Sequence, residues 1–403
     1  MTAAMTEIDF DELADKVLAG GSVTAEEAVA VLQADDSELM SIVAAAGRLR
    51  RKHFKNTVKV NYLVNLKSGL CPENCNYCSQ AMGSEAPILK YSYLSKEETL
   101  KQAGMGLKGG ATRVCMVSSG RGPSDRDIAK VVEMTEALKD EYEGVEVCAC
   151  LGLLKDGQAE KLKAAGVDAY NHNINTAESN HDNIVQTHTY EDRIDTIGKA
   201  KGAGLSPCSG LIAGLGETDE QLAEALFALK ELDADSIPVN FLMPFDGTPY
   251  ENTWELSPTR CVKILAMARF VCPDKEIRIA GGREMHLRSL QATALQVANS
   301  IFLGDYLTSE GQDALSDLEM LRDNGFSILG MDKDAFDELI AAHQAGVTHR
   351  AHATTPCGSS AGGCGDGCGG CSVTAETTTE GDAGSTNPSI RRRGAGTEVP
   401  ANA

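Results

Sequence analysis

The chain has 403 residues, 42% of them hydrophobic, which is enough to bury a sizeable core and excludes wholesale disorder. Its 37 Lys and Arg against 58 Asp and Glu leave a formal net charge of −21. Phosphate contacts need a basic footprint, so neither nucleic acid nor an anionic membrane surface is expected as a partner.

At the N-terminal end, residues 1–10 carry Glu7 and Asp9 and no basic residue, unlike a secretory signal. No apolar run along the chain approaches the roughly 18 residues that span a bilayer. A cytoplasmic location with reduced thiols is therefore expected, and there an odd total of 13 cysteines points to metal or catalysis instead of disulfides.

Residues 1–55 read as an N-terminal helical extension. Thr24 and Glu27 form a capping box, and Leu39, Ile42, Val43 and Leu49 share one helical face. Residues 56–345 change texture to short apolar runs alternating with helix-period stretches. Candidate strands are 58–66, 113–118, 146–151, 169–174, 208–213, 236–242, 277–280 and 299–303. Helical patterns lie near 95–109, 124–142, 157–165, 190–203, 218–231, 258–271, 285–296 and 310–323, with Ser95, Ser124 and Ser257 at N-cap positions. Eight strands alternating with helices predict an α/β fold, a closed (β/α)8 TIM-type barrel, with an open doubly wound sheet as the alternative. Residues 346–403 are rich in Gly, Ser, Thr and Ala and too poor in large apolar residues to build a core, so a disordered tail is expected.

Directly after the first strand stands the segment CPENCNYC, with Cys71, Cys75 and Cys78. Three thiolates on one loop can converge on one iron–sulfur cluster. Three ligands for four irons leave one iron open, which suits chemistry. A structural zinc site is the alternative, but no fourth Cys or His lies nearby to complete a tetrahedron.

The C-x3-C-x2-C spacing after a first strand resembles the radical S-adenosylmethionine (SAM) enzymes. That resemblance implies a 4Fe–4S cluster whose open iron chelates SAM and whose electron cleaves it to methionine and a 5′-deoxyadenosyl radical. The segments YNHN (170–173), CSGLIAGLGE (208–217), IPVNFL (237–242), the GTP at 247–249, IRIAGGRE (277–284) and NSIFLGDYLT (299–308) narrow the resemblance. Together with the triplet they are similar to the biotin synthase family over about residues 40–330. Methylornithine-synthase and hydrogenase-maturation enzymes are the alternatives on the same barrel; a non-catalytic iron–sulfur carrier is a third reading.

Cys115, Cys148 and Cys208 lie on three candidate strands, and Arg278 on a fourth. Each cysteine alone reads as a buried core residue. Together, on strands whose inward positions form layers, they can meet. The family resemblance implies that Cys115, Cys148, Cys208 and Arg278 hold a 2Fe–2S cluster, the proposed sulfur donor. Arginine is an unexpected ligand because its guanidinium normally stays protonated. Cys150 shares the strand face of Cys148 and reads as packing or an alternative ligand. Cys261 and Cys272 read as core.

The same resemblance implies a sulfurtransferase that inserts sulfur between two unactivated C–H carbons of dethiobiotin, consuming two SAM molecules. Asn173 and Asn240 match contacts to the ureido ring, where an amide donates and accepts at once. Tyr77 and the stretch from Gly210 through Gly214 to Glu217 match the adenine side of SAM. Arg193 matches a partner of the SAM carboxylate, and Arg113 a residue close to the inner cluster. Asn175 stands where many members carry an Asp against the SAM ribose, so ribose binding is expected to differ. An electron-donor protein, iron–sulfur assembly machinery and a homodimer are further expectations from the family.

In the tail, Cys364, Cys368 and Cys371 repeat the C-x3-C-x2-C spacing, with Cys357 nearby. Such a set can bind zinc or an iron–sulfur cluster, and can either resupply an inner centre that is consumed or be an appendage with incidental metal affinity.

Overall fold

In the computed structural model, residues 8–353 are described, with side chains to residue 345; Cys357, Cys364, Cys368 and Cys371 lie outside them. The frame is a closed parallel barrel with eight positions. β1 (Thr57–Lys67), β2 (Arg113–Ser118), β3 (Glu146–Cys150) and β4 (Ala169–Asn171) follow in chain order. The fifth position is split into β5 (Ser206–Cys208) and β6 (Leu211–Ala213); β7 (Ser236–Phe241), β8 (Glu276–Ile279) and β9 (Ser300–Leu303) complete the round. Every pairing is parallel, and β9 returns to β1 with Lys59 opposite Ser300 and Tyr62 opposite Leu303, which closes the ring. The TIM-type expectation holds and the open sheet does not.

The split at the fifth position has a local cause. A Cβ on Gly210 would stand 1.9 Å from the Pro238 carbonyl oxygen, so the chain between β5 and β6 presses against β7 as only glycine allows. A further short strand, β10 (Ser327–Ile328), pairs with the start of β1 outside the ring. The pattern at 285–296 forms no single helix: it breaks into Arg283–Leu287, a 3-10 turn and Gln291–Ala294. A helix at Glu178–Ile184 was not anticipated, and the last helix, Lys333–Ala353, runs across the expected boundary at residue 345.

The N-terminal extension forms helices Phe10–Leu18, Ala25–Gln33 and Leu39–Phe54. Thr24 and Glu27 make both bonds of the predicted capping box. Ile42 and Leu49 are fully buried, each contributing about 1.5–3 kcal/mol by leaving water. The extension packs on helix Pro258–Val271, in which eleven residues are buried, Cys261 among them, with Cys272 buried at its end. Arg50 ties this layer to the barrel: buried itself, it donates to the carbonyls of Ala298 (3.2 Å), Thr57 (2.9 Å) and Lys55.

Candidate active site

Strand alternation and register stack the barrel interior in layers. At the N-terminal end of the strands lies a charged floor. Arg113 pairs with Glu146 and, at 3.4 Å, with Glu276; Lys59 reaches Glu146 and, at 3.7 Å, Glu276. Burial alone would raise the Glu276 carboxyl, but Arg278, Arg113 and Lys59 hold it well below the usual carboxylate range.

Above the floor the three strand cysteines meet. Cys115 stands opposite Cys148 in the β2–β3 ladder, and Asn171 opposite Cys208 in the β4–β5 ladder. All three thiols are buried, and Cys148 hydrogen-bonds with both Cys115 and Cys208. That bond, reinforced by Arg278 and Arg113, outweighs burial and depresses Cys115 and Cys208, the latter to about 5; Cys148 is pushed well up. Arg278 Nη1 faces Cys208 Sγ at 3.8 Å, and the Asn171 amide donates to the same sulfur at 3.1 Å. The guanidinium also lies 5.1 Å over the Phe302 ring.

At the other end, the loop after β1 carries Cys71, Cys75 and Cys78, all half-buried. The loop is sewn to the segment after helix Glu178–Ile184. Asn74 accepts from the amides of Gln186 (3.0 Å) and Thr187 (3.2 Å), and the Asn76 amide donates to Ile184 O at 2.9 Å. Glu73, buried, binds Arg121 at 3.0 Å as well as Thr187 and His188. Burial raises all three thiols, Cys78 to about 12, and neighbouring thiols add to the effect for Cys75 and Cys78. A bound cation reverses that logic by taking the thiolate.

One cavity of about 370 Å³ joins the two ends, lined by Cys71, Cys75, Cys78, Cys115, Cys150 and Arg278 and, between them, by Tyr77, Asn173, Asn175, Arg193 and Asn240. Cys148 and Cys208 lie behind its wall, whereas Cys150 is on it. Asn173 Oδ1 accepts from the amide of Gly210 at 3.0 Å and Asn240 Oδ1 from that of Gly281 at 3.0 Å, so both amides also fix backbone. Arg193 Nη1 donates to Asn173 O at 2.8 Å. Gly210, Gly214 and Glu217 are not on the wall. Glu217 instead accepts from the amides of Gly214 (2.8 Å) and Leu215 (2.6 Å), holding the loop that follows β6.

The donor chemistry fits the groups the motifs imply. Three thiols on the outer loop line one end of the chamber, and Cys115 and Arg278 line the other, with Cys148 and Cys208 grouped with them behind the wall. His172 Nε2, a buried polar atom on the chamber wall, has no hydrogen-bond partner among the described residues, as befits a wall built for a ligand. Among the described residues no three His, Cys, Asp or Glu side chains converge on a single metal ion. Polynuclear clusters spread their thiolates over several irons. Sequence reasoning missed Asn171, His172, Glu73, Glu276, Ser236 and Ser300. The i, i+2 spacing of Glu276 with Arg278, and of Asn171 with Asn173, is the signal that could have found two of them.

Comparison with known proteins gives the following. The family model "Radical SAM superfamily" matches residues 66–229, and "Biotin and Thiamin Synthesis associated domain" matches residues 238–327. A protein of Saccharopolyspora erythraea named Biotin synthase is 83% identical over 325 residues, 81% of this chain and 92% of its own. One of Nocardioides sp. with the same name is 70% identical over 397 residues, 98% of this chain and 100% of its own. Among solved structures, methylornithine synthase superposes with a TM-score of 0.69 at 21% identity, covering 81% of this chain and 99% of that one. The hydrogenase maturase HydG from Carboxydothermus hydrogenoformans gives 0.67 at 19%, covering 79% and 78%. At those identities the likeness is one of fold.

Proposed function

The chain belongs to the biotin synthase family of radical SAM enzymes, and from that premise we propose that it is a sulfurtransferase converting dethiobiotin to biotin in the chamber described above. The observation that carries this reading is the arrangement of two thiol sets at opposite ends of one cavity, with amide side chains between them. Methylornithine synthase and the hydrogenase maturase share the barrel at only 21% and 19% identity, while the biotin synthases match at 83% and 70%.

Cys71, Cys75 and Cys78 would hold a 4Fe–4S cluster, and Cys115, Cys148, Cys208 and Arg278 a 2Fe–2S cluster that donates sulfur. Bound SAM and the outer cluster supply a radical strong enough to break C–H bonds that no acid or base at neutral pH attacks. The protein's own residues bind, orient and exclude water. Asn173 and Asn240, the latter also donating from Nδ2 to Leu211 O at 3.2 Å, each retain a further N–H with which they would grip the ureido ring. Tyr77, Asn175 and Arg193 would hold SAM against the outer loop, while the loop of Gly210, Gly214 and Glu217 supports that wall from behind. Arg113 neutralises the floor beneath the inner set. A reducing cytoplasm, an electron-donor protein and iron–sulfur assembly machinery would serve this redox chemistry, and a homodimer of barrels is the assembly we expect.

Anaerobic loading with iron and sulfide, followed by SAM, dithionite and dethiobiotin, tests the reading. Mössbauer spectra are expected to contain a cubane and a dinuclear ferric component, and 5′-deoxyadenosine and biotin are expected together. Deoxyadenosine without biotin, or a cubane alone, overturns it.

A further inference from the structure

Arg278 enters the chamber with three nitrogens, and the structure distinguishes them. Its Nη2 donates to Glu276 Oε1 at 2.5 Å and to Ser236 Oγ at 2.9 Å. Its Nε donates to the same Glu276 oxygen at 3.2 Å and to Ser300 Oγ at 3.3 Å. Ser300 in turn donates to Glu276 Oε1 at 2.8 Å and accepts from Asn61 Nδ2 at 2.8 Å. Nη1 alone faces the sulfurs, 3.8 Å from Cys208 Sγ. A planar guanidinium gripped along one edge by a carboxylate cannot rotate without breaking both bonds, and such charge-assisted bonds are the strong ones.

We propose that Glu276 is the positioning residue that clamps the Nε and Nη2 edge of Arg278 and thereby presents Nη1 to the inner thiol set. The clamp sits on a buried floor: Lys59 and Arg113 anchor the Glu276 carboxylate from the side away from Arg278. The floor of Lys59, Arg113, Glu146 and Glu276 is neutral as a set, so the Arg278 guanidinium leaves one net positive charge beside the thiols. Glu276 lies two residues before Arg278 on one strand, so the same strand that carries the guanidinium sets its orientation. A neutral amide at this position keeps the volume but loses the charge, and it sets an N–H donor where Oε2 now faces Lys59 and Arg113, so the oxygen that grips Arg278 is no longer anchored.

The inference rests on Arg278 facing a centre held by Cys115, Cys148 and Cys208, and the experiment separates the two claims. The full chain and its E276Q, E276A and R278M variants are loaded anaerobically, and Mössbauer spectra, visible absorption and the midpoint potential of the inner centre are measured. The E276Q variant is expected to fold and to keep the outer cubane, with a lowered melting temperature because Lys59, Arg113 and Arg278 lose a buried countercharge. Its inner-centre spectrum should move toward that of R278M, and its potential should rise because a buried negative charge is gone. Loss of the inner centre alone, with the cubane retained in a folded chain, supports the same conclusion. An E276Q inner centre with the parent's spectrum and potential overturns the clamp. Should E276A fail to fold, E276Q alone decides. A parent protein with no dinuclear component overturns the underlying reading instead, and the clamp with it.

Discussion

The side-chain amide of Asn175 donates to the Tyr77 hydroxyl oxygen across 2.6 Å, joining the cysteine loop after β1 to the segment after β4. Asn175 is buried and sits at φ 71°, a left-handed conformation that Asn tolerates better than most residues. Its own amide N–H donates to Gly210 O at 3.1 Å and its carbonyl accepts from Ile212 at 2.8 Å, so the backbone is held in place. The N175A variant should therefore lose about 1–2 kcal/mol of stability from backbone strain, and N175G markedly less. Both should bind SAM more weakly than the parent, because both lose the amide that fixes Tyr77. Urea unfolding and calorimetric titration with SAM separate the two effects. Equal stability of N175A and N175G would show that the conformation carries no strain.

A second prediction concerns Glu73, which lies between the first two cysteines of the triplet and is almost fully buried. Its carboxylate bonds to Thr187 and His188 attach the outer loop to the segment that follows helix Glu178–Ile184, and its bond to Arg121 attaches it to the loop after β2. Removing a buried acceptor leaves its donors unpaired at about 1–3 kcal/mol each. The E73A variant is expected to melt earlier and to take up less iron at the outer loop under limiting reconstitution, while the inner thiol set still loads. R121A removes the most exposed of the three partners and should have a much smaller effect. Normal iron uptake by E73A would show that the loop is held by its own backbone bonds.

Much of this arrangement was legible in the sequence, and the missing parts share one reason. The barrel could be read from strand and helix periods, since each element carries its pattern locally. The cysteine sets could be read because thiols are rare and their spacing was suggestive. Glu276, Ser236 and Ser300 could not, because each is unremarkable alone and acquires meaning only when strands distant in sequence bring it to one guanidinium. The split fifth strand was only partly legible: Ser209 and Gly210 interrupt the apolar pattern of 208–213, but the close approach of the Pro238 backbone that Gly210 admits comes from the next strand. Gly210, Gly214 and Glu217, which the resemblance places on the adenine side of SAM, are not among the residues lining the chamber.

The histidines supply a pH prediction. Burial, with Arg288 adding, holds His286 below its usual value of 6.5, against the opposing bond its Nε2–H makes to Leu242 O at 2.7 Å. The folded state thus favours the neutral ring, and the unfolded chain takes up the proton first as pH falls. The stabilisation is complete above about 6.5 and is lost as pH drops below it toward the folded value. Unfolding free energy should decline between about pH 7 and pH 5. In H286Q, whose amide can donate to Leu242 O without titrating, the decline should be shallower. Parallel curves for the two proteins would assign the acid sensitivity to other groups.

The last prediction turns on Gly210, where close approach and ligand contact make different demands. A methyl group there would overlap the Pro238 carbonyl oxygen at 1.9 Å and its ring at 2.8 Å, and neither obstacle is the end of a flexible side chain. The G210A variant must push β7 away from the fifth barrel position, and overpacking of this kind costs about 1–3 kcal/mol or more. The displacement reaches the chamber directly, because the Gly210 amide donates to Asn173 Oδ1 and its carbonyl accepts from Asn175. Stability and affinity for both dethiobiotin and SAM should therefore fall together. Gly214, at φ 94° but off the chamber wall, provides the contrast: G214A should lose stability through backbone strain while the intrinsic affinity of the folded protein for dethiobiotin is retained. If G210A instead unfolds like the parent and loses only SAM binding, the glycine is there to admit the ligand, and the pressure between β7 and the split strand is incidental.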